Sequence, residues 1–466
     1  MLHMPAMKKL CVVSLFRFGG LFVALAASGV PCGAALPLIE YERVLYLQQP
    51  PSYADATTLT QGRDGKLYGT VRSRINNGGV LFRVEPDGTG YAVIYSSSTN
   101  HPGGVIEGSD GRLYGTMSGP VTNAPGVFRM DRDGGDFVML RTVASDRPQF
   151  GVIQDGVGWL YGTTTGDGLQ DGGSVFRMNT NGTGFQVLHQ FGGLAEDDGF
   201  IPGALALGRD GLLYGCTFFG GYPSNAGTVF KIARDGSDYS VLHRFGERRE
   251  LGGSPMAEHP LLEGSDGFLY GAADGGSNRA GVIFKLNKAG GHFQVLHHFA
   301  GERGTGDSPL GGLVEWCDGA LYGATYEGGI DGAGTLFRIN KDGSGFAVVR
   351  IYIDTPNPGA TEGTPKTSLL SAADGRLYGI TSGGTVAEGT VYRIRPLPAL
   401  QIQIRPGAVV VSWLSCWNDY SLEESNEAGA SDEWRRIENV GHGVGGVQEA
   451  LLPRSSEQRF FRLVRP

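Results

Sequence analysis

An all-β fold, assembled from a repeated four-stranded antiparallel sheet, follows from three observations on this sequence. The motif Asp-Gly-x-Leu-Tyr-Gly occurs at Asp64–Gly69, Asp110–Gly115, Asp210–Gly215, Asp266–Gly271, Asp318–Gly323 and Asp374–Gly379, and a seventh copy, Asp155–Gly162, carries two extra residues before its Leu-Tyr-Gly. The tyrosines Tyr68, Tyr114, Tyr161, Tyr214, Tyr270, Tyr322 and Tyr378 are spaced by 46, 47, 53, 56, 52 and 56 residues, which means a repeat architecture. Glycine supplies 78 of 466 residues without a Gly-X-Y period, so it marks turns between apolar segments.

At the N-terminus, Lys8 and Lys9 precede a mostly apolar stretch, 10–30, broken by Arg17. Small residues then offer cleavage after Ala26, Ala34 or Ala35, so residues 1–35 read as a secretory signal. A retained membrane anchor is the rival reading, and Gly29-Val30-Pro31 makes a poor lipobox for Cys32. No later stretch approaches the ~20 apolar residues of a spanning helix. A secreted, periplasmic or cell-surface protein without a transmembrane segment after cleavage is expected. Beyond the signal only Cys216, Cys317 and Cys416 remain, an odd number without metal-ligand spacing, and they read as buried thiols.

The fourth repeat shows the unit. Gly203–Gly208 (run a) ends at Asp210-Gly211, Leu212–Thr217 (b) follows, and a Gly-rich stretch leads to Gly227–Ile232 (c), Asp235-Gly236 and Tyr239–Phe245 (d). Asp-Gly or Asn-Gly joins a to b and, in most copies, c to d; both dipeptides tolerate the positive φ of tight hairpins. Seven such units predict a seven-bladed β-propeller over 41–396, with a parallel β-helix as the rival. The last unit lacks a d run because Arg395-Pro396-Leu397-Pro398 intervenes, whereas the isolated 41–47 segment resembles one. Aligning Arg43-Val44-Leu45-Tyr46 with Gln294-Val295-Leu296-His297 makes that N-terminal strand the closure of blade seven. The tight hairpins then share one face, and the longer, variable b-to-c and d-to-a loops share the other, where binding is expected. Small residues in run a place it innermost. Residues 400–466 carry Trp413, Trp417 and Trp434 and alternate as strands of a small immunoglobulin- or fibronectin-like β-sandwich.

The succession Leu-Tyr-Gly-Thr/Ala, Gly-Gly, Gly-Thr-Val-Phe-Lys/Arg-Ile, Asp-Gly and Phe-x-Val-Leu-His-x-Phe resembles the bacterial GloVer-type tandem repeat, best in repeats three to six, over roughly 41–396. The resemblance implies an exported, propeller-like repeat protein and supplies no catalytic residues.

The seven tyrosines read as packing between blades, each hydroxyl bonded to neighbouring backbone and each following glycine making room for the next blade. The run-c cations Arg83, Arg129, Arg177, Lys231, Lys285, Arg338 and Arg393 read as partners of the turn aspartates. His189, His243 and His297, with Tyr46, Tyr95, Arg141 and Arg350 in the same slot, read as half-buried outer-strand residues rather than metal ligands. No metal or cofactor is expected. With a net charge of −8 and no basic block, nucleic acid is not an expected partner. Ligand-binding candidates on the long-loop face are the aromatics Phe218, Phe219, Tyr222 and Tyr326 and the acids Asp167, Asp171, Glu327 and Asp331. The leading expectation is a monomeric, non-catalytic binder of extracellular polysaccharide or surface protein. A polysaccharide-cleaving enzyme using the loop carboxylates and a structural cell-surface repeat protein are the alternatives.

Overall fold

The computed structural model describes residues 16–18, 21–23, 39–47, 54–73, 78–119, 125–143, 148–166, 172–192, 198–222, 224–246, 252–301, 305–309, 312–353, 363–382, 389–396, 400–414, 420–426, 434–442, 447–453 and 459–464. Among them every regular element is a β-strand, and no helix is long and apolar enough to cross a membrane. The chain divides into two compact units, one of 41–315 and 321–393, the other of 1–40, 316–320 and 394–466.

The larger unit repeats one antiparallel pattern, a-b-c-d, with hydrogen-bonded neighbours in chain order. The fourth sheet is the fullest example: Phe200–Leu207, Leu213–Phe219, Thr228–Ile232 and Ser240–Arg244. Strand a shortens to Leu262–Glu263 in the fifth sheet and Val314–Glu315 in the sixth. In the last sheet, Leu377–Ser382 and Thr390–Pro396 are followed outward by the N-terminal strand Ile39–Tyr46. That strand is docked by the Leu47 amide on the Gly389 carbonyl (2.9 Å), as Phe299 docks on Gly281 and Tyr352 on Gly334.

The sheets are made by the hairpin chemistry read from the sequence, with one correction. Gly65, Gly111, Gly211, Gly267, Gly319 and Gly375 all take positive φ, but in the third copy it is Gly158 that does so. Asp155 N–H meets the Trp159 carbonyl just as Gly62 N–H meets that of Lys66. The third hairpin therefore has the normal length; its aspartate has moved two positions upstream, and there are no extra residues.

Packing between successive sheets uses four recurring contacts. Five motif tyrosines are buried with a leucine and a phenylalanine of the following sheet: Tyr68 with Leu113 and Phe128, Tyr114 with Leu160 and Phe176, Tyr161 with Leu213 and Phe230, Tyr214 with Leu269 and Phe284, Tyr270 with Leu321 and Phe337. Tyr378 of the last sheet is clustered in the same way with Leu67 and Phe82 of the first. The second contact is polar: Arg63, Ser109, Arg209 and Ser265 donate backbone N–H groups to Glu107, Gln154, Glu263 and Glu315 at the end of the next strand a (2.6–2.7 Å), and Ala373 donates to Gln61 (2.8 Å).

The third contact explains a glycine. A Cβ on Gly134 or Gly236, in the c-d turn, would sit 2.3 or 3.0 Å from the Ile94 or Leu188 carbonyl of the preceding outer strand. The same relation sets Gly343 on Leu296 and Gly88 on Val44. Val44, not Leu45, is thus the equivalent of Leu296, and the N-terminal strand lies one residue away from the alignment expected from sequence. Tyr46 therefore does not occupy the histidine slot; Leu45 does.

The fourth contact is aromatic. His189, His243 and His297 stack on Tyr239, Phe293 and Phe346 of the following sheet with ring centroids 3.6–3.7 Å apart. Arg141 and Arg350 cover Phe185 and Tyr41 in the same manner. The outer-strand reading of this column holds. Burial draws His243 and His297 down to about 4, so they are neutral where free histidine is partly charged.

The smaller unit holds a sheet of Gln401–Arg405, Ala408–Leu414, Val447–Pro453 and Gly441–His442, and a second of Arg435–Arg436, Ser421–Ser425 and Phe460–Val464. Val411, Trp413, Leu422, Ala450, Phe461 and Leu463 form its core. Cys317 is disulfide-bonded to a residue outside those described, which corrects the expectation of a buried thiol there; Cys216 is a buried free thiol.

Candidate functional site

The tight-hairpin face is occupied by its own bonds. The motif tyrosines donate to the aspartate of their own turn, Tyr68 to Asp64, Tyr114 to Asp110, Tyr161 to Asp155, Tyr214 to Asp210, Tyr270 to Asp266 and Tyr378 to Asp374, at 2.6–3.0 Å. The expected backbone partners are not the ones used: the turn places the aspartate four residues before the tyrosine, or six in the third copy, and brings its carboxylate to the phenol first. Burial, then the adjacent carboxylate, pushes these phenols up, Tyr114, Tyr161 and Tyr378 to about 12. The glycine after each tyrosine makes room within its own sheet; a Cβ on Gly215 would lie 2.5 Å from the Phe230 ring on strand c.

The run-c cations mostly find carbonyls instead of aspartates. Arg83, Arg177, Lys285 and Arg393 donate to the backbone oxygens of Arg132, Arg234, Lys341 and Pro86 in the next c-d turn, at 2.9–3.4 Å. It is the turn residues Arg132, Arg234 and Lys288 that reach back to Asp64, Asp155 and Asp210, at 3.3–3.5 Å. The first and second sheets, and the third and fourth, are thereby joined in both directions. Burial raises Asp64, Asp210 and Glu315, but the hydrogen bonds and cations around them outweigh it and hold all three below the usual range.

These groups set a pH dependence. The lowered carboxylates stabilise the fold above their unfolded values of about 4, and that stability is lost as pH falls through the folded values. The buried histidines act in the same sense: neutral in the fold down to about 4, they disfavour it progressively once pH drops below the ordinary 6.5. The thermal midpoint is therefore expected to fall from pH 7 to pH 5 (roughly the upper part of this window) and further toward pH 4. A midpoint that is flat or rises over that range in scanning calorimetry contradicts this assignment.

The opposite face carries the expected ligand candidates, which fall into two groups. In the fourth sheet, Phe218 packs on Phe150 (5.7 Å between centroids) and Phe219 stacks on Phe200 (5.3 Å). Phe219 stays 42% exposed and Tyr222, beyond Gly220-Gly221, is 76% exposed. After strand b of the sixth sheet, Tyr326 lies under Lys366 of the last repeat, at 4.4 Å. Glu327 pairs its backbone with Asp307, and the side chains of Glu327 and Asp331 are exposed. Asp167 and Asp171 lie outside the described residues.

Sequence reasoning missed a polar group at the inner strands. His259 Nδ1 lies 2.7 Å from Ser368 Oγ, which also accepts the Gly312 N–H (3.0 Å), so three sheets meet through one hydroxyl. Burial draws His259 down to about 4, the Lys366 backbone opposing it in part. A base that weak has little capacity to activate a serine near neutral pH. Among the described residues no three His, Cys, Asp or Glu side chains gather to hold a metal ion.

Repeated four-stranded sheets with one self-bonded face and one face of loops define a propeller-like repeat protein. The chain belongs to the Gloeobacter/Verrucomicrobia repeat family, which matches residues 40–224 and again 202–404. Among solved structures it is similar to an oligogalacturonate lyase from Vibrio parahaemolyticus, with a TM-score of 0.51 at 11% identity over 76% of this chain and 96% of that one. An oligogalacturonate lyase in complex with manganese gives a TM-score of 0.50 at 11% identity over 77% and 96%. At such identity the likeness shows the fold alone. No curated protein matches the chain.

Proposed function

We propose that the larger unit is a seven-bladed propeller closed by its N-terminal strand, exported, and binding extracellular polysaccharide or protein through the long-loop face without catalysis. Closure is supported by the contacts of the last sheet with the first, which are of the same four kinds as those found between other neighbouring sheets: Tyr378 with Leu67 and Phe82, Ala373 with Gln61, Arg393 with Pro86 and Val44 with Gly88. Export is supported by the Cys317 disulfide, a bond that persists in oxidising compartments.

The observation that carries the binding reading is the contrast in aromatic exposure. The motif tyrosines are fully buried, whereas Tyr222 and Phe219 stand in water on the loop side, Tyr222 at 76% exposure. A large amphipathic ring held out by a Gly-Gly loop offers contact area to a sugar face or a protein surface. The test is retention of the full chain on immobilised polysaccharides and a glycan array, with Tyr222→Ala and Phe219→Ala beside the wild type. Each substitution is expected to weaken retention about tenfold with the melting midpoint unchanged. Retention indifferent to both substitutions removes the site, and release of shortened product from a retained glycan removes the non-catalytic reading.

A further inference from the structure

Three residues whose side chains carry sulfur or imidazole donors line one small cavity between the fourth, fifth and sixth sheets. Cys216 comes from strand b of the fourth sheet, and Met256 and His259 from the inner edge of the fifth; the exposed Pro260, with Leu261, Gly271, Ala272, Gly312 and Leu313, completes the walls. Cys216 is a free thiol and almost wholly buried. His259 is half-buried, and its Nε2 is a buried atom with no hydrogen-bond partner. The other ring nitrogen is held by Ser368 Oγ at 2.7 Å, and that oxygen is itself fixed by the Gly312 N–H.

We propose that Cys216, Met256 and His259 form a site for a soft monovalent metal ion of the Cu(I) class. Thiolate, thioether and imidazole are the donors that such an ion prefers over harder cations. With Nδ1–H donated to Ser368, the lone pair of the neutral ring is on Nε2, the usual way an outer hydrogen bond orients a ligating histidine. Charge selects the valence. Binding displaces the thiol proton to solvent, so a monovalent ion and one thiolate leave the buried site neutral, whereas a divalent ion leaves an uncompensated positive charge. No electron is transferred and no oxidant is required. The site is independent of the loop-face binding proposed above, and either can fail alone.

The test uses Ag(I), a redox-inert ion of the same class, titrated into the full oxidised chain and followed by native mass spectrometry and thermal shift. The wild type is expected to take up about one equivalent more than Cys216→Ser, with a raised melting midpoint. Met256→Leu and His259→Gln are expected each to weaken that uptake at least about tenfold. Equal uptake by wild type and Cys216→Ser overturns the proposal. So does uptake that Met256→Leu and His259→Gln leave unchanged, which reduces the site to a lone buried thiol. Those last two variants decide the matter if Cys216→Ser does not fold. Stoichiometric Zn(II) binding at the same residues overturns the monovalent assignment.

Discussion

Deletion of residues 41–47 is expected to turn the single cooperative unfolding of the repeat unit into a broad, early transition, with a loss on the order of 5 kcal/mol or more. The strand carries more than its own pairing. Tyr41 stacks on Tyr392 at 5.3 Å and meets Tyr352 edge-on at 6.2 Å, and Arg350 covers its other side at 3.5 Å. Leu47 is packed with Val80, Phe82 and Val391, so residues of the first and last sheets share its burial. Without the strand, Thr390–Pro396 becomes a bare edge, which invites pairing with other chains. Aggregation on heating is the second expected sign. Calorimetry that finds the deletion as stable and as cooperative as the wild type rejects closure by this strand.

Tyr214 provides the second large effect. Tyr214→Ala is expected to cost roughly 3–5 kcal/mol, as truncation of a fully buried aromatic does. Tyr214→Phe keeps the packing and removes only the donor to Asp210 (2.7 Å), which retains the Leu212 N–H and Lys288; a loss of about 1.5–3 kcal/mol is expected, the range for a bond to a charged acceptor. Chemical denaturation of the two variants, with the polysaccharide retention assay alongside, separates scaffold from site. Stability losses with unchanged retention per folded molecule are the expected pattern. Unchanged stability with lost retention would make the tyrosine column a binding device.

Much of the fold was legible because its signals are local. Asp-Gly turns between short apolar runs define the hairpins whatever lies beyond them, and the missing d run before Pro396 pointed to the N-terminal strand. What escaped the sequence depends on three-dimensional choice. The third motif resembles an insertion because its aspartate moved to the position that is glycine in Gly62, yet from there it still reaches Tyr161. The one-residue offset at Val44 arose because Val44, Leu45 and Tyr46 are all bulky, so alternation did not distinguish the inward face. A basic residue in run c could reach an aspartate or a carbonyl, and only the neighbouring sheet's turn decided for the carbonyl.

One signal was available in the sequence. Gln61, Glu107, Gln154, Glu263 and Glu315 form a column at the end of strand a that receives the preceding sheet's backbone. Its position just before each motif would have shown it. The His259–Ser368 bond joins residues 109 positions apart in non-adjacent repeats, and no spacing rule reveals such a pair. The ligand candidates were placed on the correct kind of surface by loop length alone. That pattern carries no information on which loops come together, and the aromatics of the fourth sheet and Tyr326 of the sixth are held by separate contacts.

Closure of the ring by the N-terminal strand is the claim on which the rest depends, and amide hydrogen exchange of the intact chain tests it most directly. The Leu47 amide bonds the Gly389 carbonyl at 2.9 Å, as the Phe245 amide bonds Gly227 at 3.0 Å inside the fourth sheet. Protection of Leu47 within about tenfold of Phe245, lost together with it in denaturant, is the predicted result. Leu47 exchanging at the rate of an unstructured peptide while Phe245 stays protected would contradict it.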